Sequence, residues 1–312
     1  MRIMVLGTGG AGGFFGAQLA KAGEDVVFIA RGEHLEAIRK NGLHVEMPTQ
    51  QIAISPAQVT DNPAEVRDVD AILLGVKAWQ VRGAAETLRA TIGPSTFVVP
   101  LQNGVDAASE LSEILGPERV LVGLCGTLSW VIAPGRIRTV QGPNYIKFGE
   151  QNNRLSDRAQ QLLAAFKKTG SSVDIPADIY SALWEKFLGI TSFGGVGAVT
   201  RSPIGAMRAR PETRRLLERC MEEVLALAHA KRIALSPTIV ADMMGLFDTL
   251  SPDGTTSMQR DIRDGKPSEL DYWNGAVVRL GEEQGIPVPT HQFIYHSLLL
   301  QEQRARAVTR SS

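Results

Sequence analysis

The first thirty-one residues of this 312-residue chain carry the pattern that most constrains its fold. A short apolar run, Ile3–Leu6, has the length of a buried strand and ends at the glycine-rich residues 7–12. Apolar side chains then recur at helical spacing between Phe14 and Ala22, and a second apolar run follows at residues 26–30. A strand, a glycine turn, a helix and a second strand predict the start of a parallel sheet with helices on its faces.

Residues 7–12 read GTGGAG and match the spacing G-x-G-x-x-G, which is typical of dinucleotide binding where it joins a strand to a helix. Gly7 allows the tight turn, Gly9 lets the backbone approach a pyrophosphate, and Gly12 lets the helix lie close to the sheet. Free N–H groups and the positive helix end would hold the phosphates. The predicted cofactor-binding residues of this turn are Gly7, Thr8, Gly9, Gly10, Ala11 and Gly12. The alternative is a glycine-rich turn without a ligand.

The second strand ends at Arg31, close to where NAD-binding chains carry an acidic residue, about 20 residues beyond the glycines, to bind the ribose. That acidic residue is missing here. A guanidinium forms paired hydrogen bonds with a phosphate dianion and gains little from a bare 2′-hydroxyl. Arg31 therefore predicts NADP(H) as the cofactor, and the alternative is an ordinary exposed arginine.

Length and charge restrict the class of protein further. A chain of 312 residues exceeds what one hydrophobic core usually serves, which favours two domains. Lys plus Arg and Asp plus Glu are equal at 33 each, so no net charge attracts nucleic acid or an anionic membrane. No apolar run reaches the roughly 18 residues of a membrane-spanning helix, and the N-terminal strand leaves no room for a signal peptide. We expect a cytoplasmic protein with a small-molecule substrate and no nucleic-acid or membrane partner.

Cysteine and histidine usage indicates no metal site. Cys125 and Cys220 lie far apart and belong to no metal-ligand spacing, so we expect buried thiols. Of the five histidines, His291 and His296 are five residues apart, a spacing that does not place them on one helical face. A homodimer is compatible with the sequence, although nothing in the sequence requires one.

Strands and helices continue to alternate after Arg31. The predicted elements are a helix at 34–40, strands at 43–47, 51–54 and 70–76, a helix at 79–91 and a strand at 96–101. This alternation predicts an α/β domain built on a doubly wound parallel sheet of the Rossmann type. Ligands bind beyond the carboxyl ends of such strands, and Gly7, Arg31, Lys77 and Asn103 all follow predicted strand ends.

The pattern becomes rich in strands at residues 120–148 and changes to an all-α pattern near Pro176. A helix near 155–169 and a short strand through Val173 come between the two. The later predicted helices are 178–199, 211–231, 236–250, 268–284 and 290–306. The change predicts a dinucleotide-binding domain at 1–176 and a second, all-α C-terminal domain at 177–312.

Six motifs together give the chain its resemblance to a known family. They are GTGGAG at 7–12, Arg31, VKAWQV at 76–81, PLQNG at 100–104, WEKF at 184–187 and TSMQRDIRDGKPSELDYWNG at 256–275. With these motifs the chain resembles the ketopantoate reductases, the 2-dehydropantoate 2-reductases that make pantoate with NADPH in pantothenate biosynthesis, over nearly its whole length. The resemblance implies that the helical domain holds substrate and catalytic residues.

The same resemblance implies roles for individual residues. Lys186 is the catalytic group, Glu269 and Ser257 line the substrate site, and Asn103 contacts both cofactor and substrate. Lys77 helps to hold the 2′-phosphate of NADP(H). Glu269 is predicted to be catalytic together with Lys186, because it could orient or pair with that lysine.

The residues themselves agree with this chemistry. Reduction of a ketone by hydride needs a proton donor at the oxygen where negative charge develops. Lys186 lies mid-helix among Leu183, Phe187 and Ile190, where a desolvated ammonium readily gives up its proton. The alternative for Lys186 is a lysine whose stem lies on apolar surface and whose charge reaches water.

Each of the other site residues has an ordinary interpretation when it is taken alone. Ser257 precedes a helix and is then a cap, and Asn103 in a QNG turn serves the turn. Glu269 is then a carboxylate that favours a helix N-terminus. Only the joint occurrence of these residues favours the functional interpretation.

One departure from the family concerns the substrate. Ketopantoate reductases usually carry asparagines four and eight residues after the catalytic lysine, and here Ile190 and Gly194 occupy those positions. Thr191 and Ser192 point away from Lys186 on an undistorted helix. Two alternatives therefore remain beside reduction of ketopantoate: a reductase of a less polar keto acid, and a catalytically silent NADP(H)-binding regulator.

Overall fold

Two compact units, Met1–Ile179 and Tyr180–Ser312, make up the protein in this computed structural model. The structure describes residues 1–89 and 91–311, and only the backbone for residues 309–311. The division into units lies just beyond the change of sequence pattern near Pro176.

Unit 1 contains all the strands of the described residues, together with five of the α-helices. The strands are β1 Arg2–Leu6, β2 Asp25–Ile29, β3 Leu43–Glu46, β4 Gln51–Ile54, β5 Gln58–Thr60, β6 Ala71–Leu74, β7 Phe97–Pro100, β8 Leu121–Ala133, β9 Arg136–Glu150 and β10 Ser172–Asp174. The helices are α1 Gly10–Lys21, α2 Gly32–Asn41, α3 Val81–Arg89, α4 Ala107–Leu115 and α5 Asp157–Lys167.

The main sheet of unit 1 has the order β5-β2-β1-β6-β7, and all of its neighbouring strands are parallel. Leu6 at the end of β1 is level with Ile29 on β2 and with Leu74 on β6. The first strand lies inside the sheet because the chain winds outward from it in both directions. This topology confirms the predicted doubly wound parallel sheet.

A second sheet has the order β10-β9-β3-β4, and β8 pairs with β9 outside that path. The predicted strands at 43–47 and 51–54 belong to this second sheet, where β3 and β4 form an antiparallel pair. They join it through parallel pairing of His44 with Arg136. Sequence periodicity shows that residues 43–46 form a strand, but it does not show which strand pairs with them. That partner, β9, begins about 90 residues later in the chain.

Aromatic side chains fill the core of unit 1. Phe14 and Phe15 on α1 are both buried, and the ring of Phe15 lies 6.1 Å from that of Phe166 on α5. The Phe166 ring in turn lies 6.3 Å from that of Phe148 on β9. Edge-on and tilted contacts of this kind stabilise a core beyond the burial of apolar area.

The described part of unit 2 is helical, as predicted. Its helices are α6 Ile179–Thr200, which begins at the last residue of unit 1, α7 Ile204–Ala209, α8 Pro211–Ala230, α9 Ile239–Thr249, α10 Ser257–Arg263, α11 Asn274–Gln284 and α12 Pro289–Ser311. Within these residues no helix is both long enough and apolar enough to cross a membrane.

In two places a 3₁₀ turn occupies the predicted start of a helix. The helix predicted at 268–284 starts at Asn274, because residues 270–272 form a separate 3₁₀ turn. The helix predicted at 79–91 starts at Val81 after another 3₁₀ turn, and it is described as far as Arg89. Residue 90 lies outside the described residues. The short helices α4, α7 and α10 were not predicted, since six to nine residues give little helical periodicity.

Candidate active site

The carboxyl edge of the main sheet carries every site residue predicted for unit 1. The glycine turn follows β1, Arg31 follows β2, Lys77 follows β6 and Asn103 follows β7. These strands are parallel neighbours in level register, so the segments that follow them lie along the same edge. The structure therefore brings these four segments together.

The three glycines of the G-x-G-x-x-G spacing, Gly7, Gly9 and Gly12, have the geometry that their proposed roles require. Gly7 has a φ of +99°, and a Cβ there would lie 2.6 Å from the backbone nitrogen of Val76. A Cβ at Gly12 would lie 2.2 Å from the carbonyl oxygen of Gly7. Beside Gly9, in contrast, no described atom other than its chain neighbours comes within 4 Å of such a Cβ. Gly7 and Gly12 are required by the fold, and Gly9 leaves the backbone open to a ligand.

Two other glycines pack closely at this turn: Gly10, one of the predicted cofactor-binding residues, and Gly75, which was missed in the sequence. A Cβ at Gly75 would lie 2.7 Å from the Gly7 oxygen and 2.9 Å from the Cα of Gly12. A Cβ at Gly10 would lie 2.3 Å from the carbonyl oxygen of Ser129, because β8 crosses the start of α1 there. A glycine at the end of the predicted strand at 70–76 was the one available signal for Gly75.

Thr8, the residue between the first two glycines, makes three hydrogen bonds. Its N–H and its hydroxyl both donate to the carbonyl oxygen of Ile29, at 3.2 and 2.9 Å. Its own carbonyl oxygen accepts a hydrogen bond from Nε2 of His34, at 2.8 Å. The end of β2 and the first turn of α2 therefore fix the glycine turn. His34 was not singled out in the sequence.

Two exposed cations stand at this edge of the sheet. Arg31 occupies the N-cap position of α2, directly after β2. The ammonium of Lys77 lies 5.7 Å from the ring centre of Trp79, and the Lys77 N–H donates to Oε1 of Gln80 at 3.1 Å. Both positions suit an anionic group of a ligand bound beyond the strand ends.

Gln102 fixes the segment that carries Asn103. Its side-chain N–H group donates to the carbonyl oxygens of Leu74 and Val76, both at 2.8 Å, and its Oε1 is buried without a partner among the described residues. Asn103 is half-buried, and Gly104 after it has a φ of +99°. The chain thus turns sharply, with Asn103 beside the end of β6.

In unit 2, Lys186 lies near the middle of α6, and its side chain is half-buried. Leu183 and Phe187 on the same helix are buried, and Ile190 is half-buried. The predicted apolar setting of Lys186 is therefore present.

Thr191 and Ser192 are bound to the helix itself. The Thr191 hydroxyl donates to the carbonyl oxygen of Phe187 at 2.8 Å, and the Ser192 hydroxyl donates to that of Leu188 at 2.7 Å. Both residues are completely buried. Since α6 runs without a break to Thr200, no distortion of the helix turns either hydroxyl towards Lys186.

The glycines of α6 receive a neighbouring segment instead. A Cβ at Gly194 would lie 2.6 Å from ring carbon Cζ3 of Trp273 and 3.2 Å from the Thr256 hydroxyl. A Cβ at Gly195 would lie 2.4 Å from the side-chain nitrogen of Asn274. The buried indole of Trp273 thus fills the space beside the position where the family usually has an asparagine.

The interpretation of Ser257 as a helix cap is wrong. Thr256 is the N-cap of α10, and its hydroxyl accepts the Gln259 N–H at 3.2 Å. Ser257 is the first helical residue and is half-buried. The contact of Gly194 with Thr256 places the start of α10 beside α6.

Glu269 is buried, with an exposed fraction of 7%. It is the N-cap residue of the 3₁₀ turn at residues 270–272, and its side chain makes no cap hydrogen bond there. Its neighbour Ser268 is held by α12: the Ser268 N–H donates to both carboxylate oxygens of Glu302, at 3.0 and 3.1 Å. Arg306 donates to the Ser268 carbonyl oxygen at 2.9 Å and pairs with Glu302 at 2.7 Å.

A buried polar cluster connects the segment after Glu269 with three helices. The side-chain N–H group of Asn274 donates to the Thr191 carbonyl oxygen at 3.3 Å and to Nδ1 of His291 at 3.0 Å. Nε2 of His291 donates to the carbonyl oxygen of Cys220 at 3.1 Å. These two bonds match a neutral imidazole, which burial favours by lowering the pKa of His291, and burial raises the pKa of the Cys220 thiol. Both cysteines are buried thiols, as expected.

Comparison with known proteins assigns the family. Residues 3–153 match the family model described as ketopantoate reductase PanE/ApbA, and residues 178–302 match the model of its C-terminal domain. The chain belongs to the ketopantoate reductase family. It is therefore an oxidoreductase acting on CH–OH groups, in a family whose members are NAD(P)H-dependent reductases.

Relatives match the chain over almost its whole length. The 2-dehydropantoate 2-reductase of Mesorhizobium japonicum is 30% identical over 93% of this chain and 94% of that protein. A PanE/ApbA family ketopantoate reductase from Ralstonia eutropha, known from a crystal structure, has a TM-score of 0.90 at 27% identity and covers 98% of this chain and 100% of that one. D-mandelate dehydrogenase, solved with NADH and anilino(oxo)acetate, has a TM-score of 0.87 at 22% identity over 98% of this chain and 100% of that one, which shows a shared fold.

Proposed function

We propose that this member of the ketopantoate reductase family reduces a 2-keto acid to a 2-hydroxy acid with NADPH. In this proposal unit 1 binds the cofactor and unit 2 supplies substrate-binding and catalytic residues. The observation that carries it is the contrast between open Gly9 and closely packed Gly7, Gly12 and Gly75. A turn that merely joined a strand to a helix would not need an open glycine between packed ones.

NADP(H), as distinct from NAD(H), is favoured by the charges at the sheet edge. Arg31 at the end of β2 and Lys77 after β6 are cations, and Arg31 stands at the strand end where NAD-binding chains carry an acidic residue. A phosphate dianion in this position would gain charge-assisted hydrogen bonds. D-mandelate dehydrogenase, which shares the fold, was solved with NADH, so the fold by itself does not select NADP(H).

The residues of this chain would then have separate tasks. The backbone of residues 7–12 would hold the cofactor phosphates. The bound cofactor would supply a hydride to the keto carbon of the substrate. Lys186 donates a proton to the keto oxygen as negative charge develops there. Glu269 orients or pairs with Lys186, while Ser257 and Asn103 bind polar groups of the substrate.

The substrate is proposed to be ketopantoate or a less polar relative. Ile190 offers no hydrogen bond, and beside Gly194 the apolar ring of Trp273 occupies the space of a polar side chain. Apolar linings discriminate weakly, whereas a polar site rejects a substrate that leaves it unpaired. We therefore expect ketopantoate to be turned over poorly, in competition with bulkier or less polar 2-keto acids.

A second candidate is a reductase whose own substrate is such a less polar keto acid. Trp273 beside Gly194 favours it, and D-mandelate dehydrogenase, which shares the fold, was solved with anilino(oxo)acetate, an aryl-substituted keto acid derivative. A silent regulator that only binds the cofactor is disfavoured, since such a protein needs neither Lys186 nor Glu269.

The deciding experiment is NADPH and NADH consumption by the wild-type protein across a panel of 2-keto acids. The panel contains ketopantoate, branched aliphatic acids and phenylglyoxylate. We expect NADPH oxidation with several of them, and a higher kcat/KM for at least one apolar acid than for ketopantoate. Efficient and selective reduction of ketopantoate would contradict the loosened preference. NADPH binding without turnover of any acid would support the regulator.

A further inference from the structure

The imidazole of His34 connects the glycine turn of unit 1 with the turn between β8 and β9. Its Nε2 lies 2.8 Å from the carbonyl oxygen of Thr8, and its Nδ1 lies 3.0 Å from the backbone nitrogen of Gly135. A carbonyl oxygen only accepts and a backbone N–H only donates. Both bonds therefore require the neutral ring with its proton on Nε2, and burial, which lowers the pKa of His34, favours that state.

The first of these bonds completes the fixation of the glycine turn. Thr8 is 4% exposed, and its N–H and hydroxyl are already bound to the carbonyl oxygen of Ile29. With the His34 bond, every backbone and side-chain polar group of Thr8 has a partner. The peptide group that this carbonyl shares with Gly9 is thereby set in one orientation, at the residue whose surroundings are open to a ligand.

The second bond holds the hairpin that crosses the start of α1. Gly135 forms the turn between β8 and β9, and its carbonyl oxygen accepts the N–H of His44 at 2.9 Å. Earlier in β8, the Ser129 carbonyl oxygen packs against Gly10, where a Cβ would lie 2.3 Å from it. His34 thus links the turn that would hold the phosphates to the β8–β9 hairpin, whose first strand packs against Gly10.

We propose that His34 is a positioning residue for cofactor binding, acting by holding the Thr8 carbonyl so that the peptide N–H group of Gly9 is oriented before the cofactor arrives. The inference rests on the proposed binding of NADPH at this turn. A turn that is already ordered costs less entropy when it binds. The effect therefore falls on cofactor affinity and leaves the chemical step unchanged.

The experiment measures NADPH affinity and saturated turnover in three variants. His34→Ala removes both bonds, and we expect the Kd for NADPH to rise about tenfold, as the loss of one or two neutral hydrogen bonds predicts. In His34→Gln the side-chain N–H group can reach the Thr8 oxygen, whereas in His34→Asn the shorter amide can serve only Gly135. We expect the glutamine variant to recover affinity to within about threefold of wild type, and the asparagine variant to resemble alanine.

The matched control is His44→Ala. The His44 ring bonds to the Asn41 carbonyl oxygen at 2.9 Å, and the backbone bond of His44 to Gly135 survives the substitution. This variant should bind NADPH as wild type does. Saturated kcat should stay within about twofold in all folded variants, since the affected interaction is uniform binding.

Several results would overturn the inference. They are unchanged affinity in His34→Ala, equal affinities of the glutamine and asparagine variants, or a fall in kcat at unchanged Kd. If the alanine variant does not fold, the comparison of glutamine with asparagine still decides, because only glutamine replaces the bond to Thr8. A wild-type protein that binds no NADPH contradicts the proposed function itself, and this result is distinct from all the others.

Discussion

The ring of Trp273 lies against Gly194 of α6 so closely that a Cβ on the glycine would come within 2.6 Å of ring carbon Cζ3. Trp273 is 2% exposed, and its Nε1 is buried without a partner among the described residues. The ring of Trp273 thus occupies the space that a side chain at position 194 would need. Placing asparagine at Gly194 therefore does not simply restore a polar substrate contact, because the side chain would collide with the indole.

Gly194→Ala should destabilise the protein by about 1–3 kcal/mol through overpacking against Trp273. Trp273→Leu should relieve the collision, so that the double variant is more stable than the sum of the two single losses by about 0.5–3 kcal/mol. The measurement is urea unfolding of the four proteins. Gly245→Ala on α9 is the control, because no described atom beyond its chain neighbours lies within 4 Å of a Cβ there. Additive losses would show that the two residues do not compete for space.

Gly9→Ala and Gly12→Ala should separate ligand binding from folding. Alanine at Gly12 would place its Cβ 2.2 Å from the Gly7 oxygen and should lower the unfolding free energy by about 1–3 kcal/mol. Alanine at Gly9 meets open space on an ordinary backbone, with φ −83°, and should keep the wild-type melting temperature. Its methyl group should nevertheless raise the Kd for NADPH at least about tenfold, because the backbone can no longer approach the pyrophosphate. Normal NADPH binding by Gly9→Ala would remove this turn from the cofactor site.

Arg31→Ala should weaken NADPH binding much more than NADH binding. The loss of a charge-assisted hydrogen bond costs on the order of 1.5–3 kcal/mol, and NADH lacks the phosphate that would form it. Affinities for both cofactors are measured by fluorescence titration, with Arg39→Ala as the control. Arg39 is an exposed arginine on the same helix whose partner is Glu36. Equal losses for the two cofactors, or equal binding of both by the wild type, would contradict the assignment of Arg31.

Lys186→Ala should fold and bind NADPH but lose at least about 10²-fold in turnover, the low end for general acid catalysis. Glu269→Ala should also reduce turnover, and the double variant should lose less than the product of the two factors, since both residues act on one step. Steady-state kcat with saturating NADPH is the measurement. Glu185→Gln, an exposed neighbour on α6, is the control. Near-normal turnover in Lys186→Ala would exclude this lysine from the mechanism.

His291 should make the protein less stable as the pH falls below its ordinary pKa of 6.5. Burial lowers its pKa in the folded state, so between pH 6.5 and the folded pKa the unfolded chain binds a proton that the folded protein refuses. The unfolding free energy should therefore fall with decreasing pH, by at most about 1.4 kcal/mol per pH unit for this histidine. His34 contributes in the same direction.

The check is urea unfolding between pH 7 and pH 5, above the range in which carboxylates dominate. His291→Gln should be less stable than wild type at pH 7, because Asn274 and the Cys220 carbonyl oxygen lose well-placed partners. The unfolding free energy of this variant should also depend less steeply on pH, because the contribution of His291 is removed. An unchanged slope would mean that protonation of His291 is not coupled to unfolding.

Local pattern was enough to predict the frame of this protein. The strand, glycine turn and helix at the N-terminus, the doubly wound sheet and the helical second unit all appeared in the periodicity and in the spacing of glycines. The positions of Arg31, Lys77 and Asn103 after successive strands followed as well, since parallel strands bring their carboxyl ends to one edge. Each of these inferences depends on residues near each other in the chain.

Tertiary structure alone decided which surfaces meet. Gly75 is needed because β6 passes the glycine turn, and His34 matters because the β8–β9 turn comes back to α2 about 100 residues later. Trp273 packs against Gly194 although the two residues are 79 positions apart, and sequence spacing contains no information about such a contact. Periodicity reports how one segment divides its side chains between core and solvent, whereas packing depends on the shape of a partner that only the folded chain supplies.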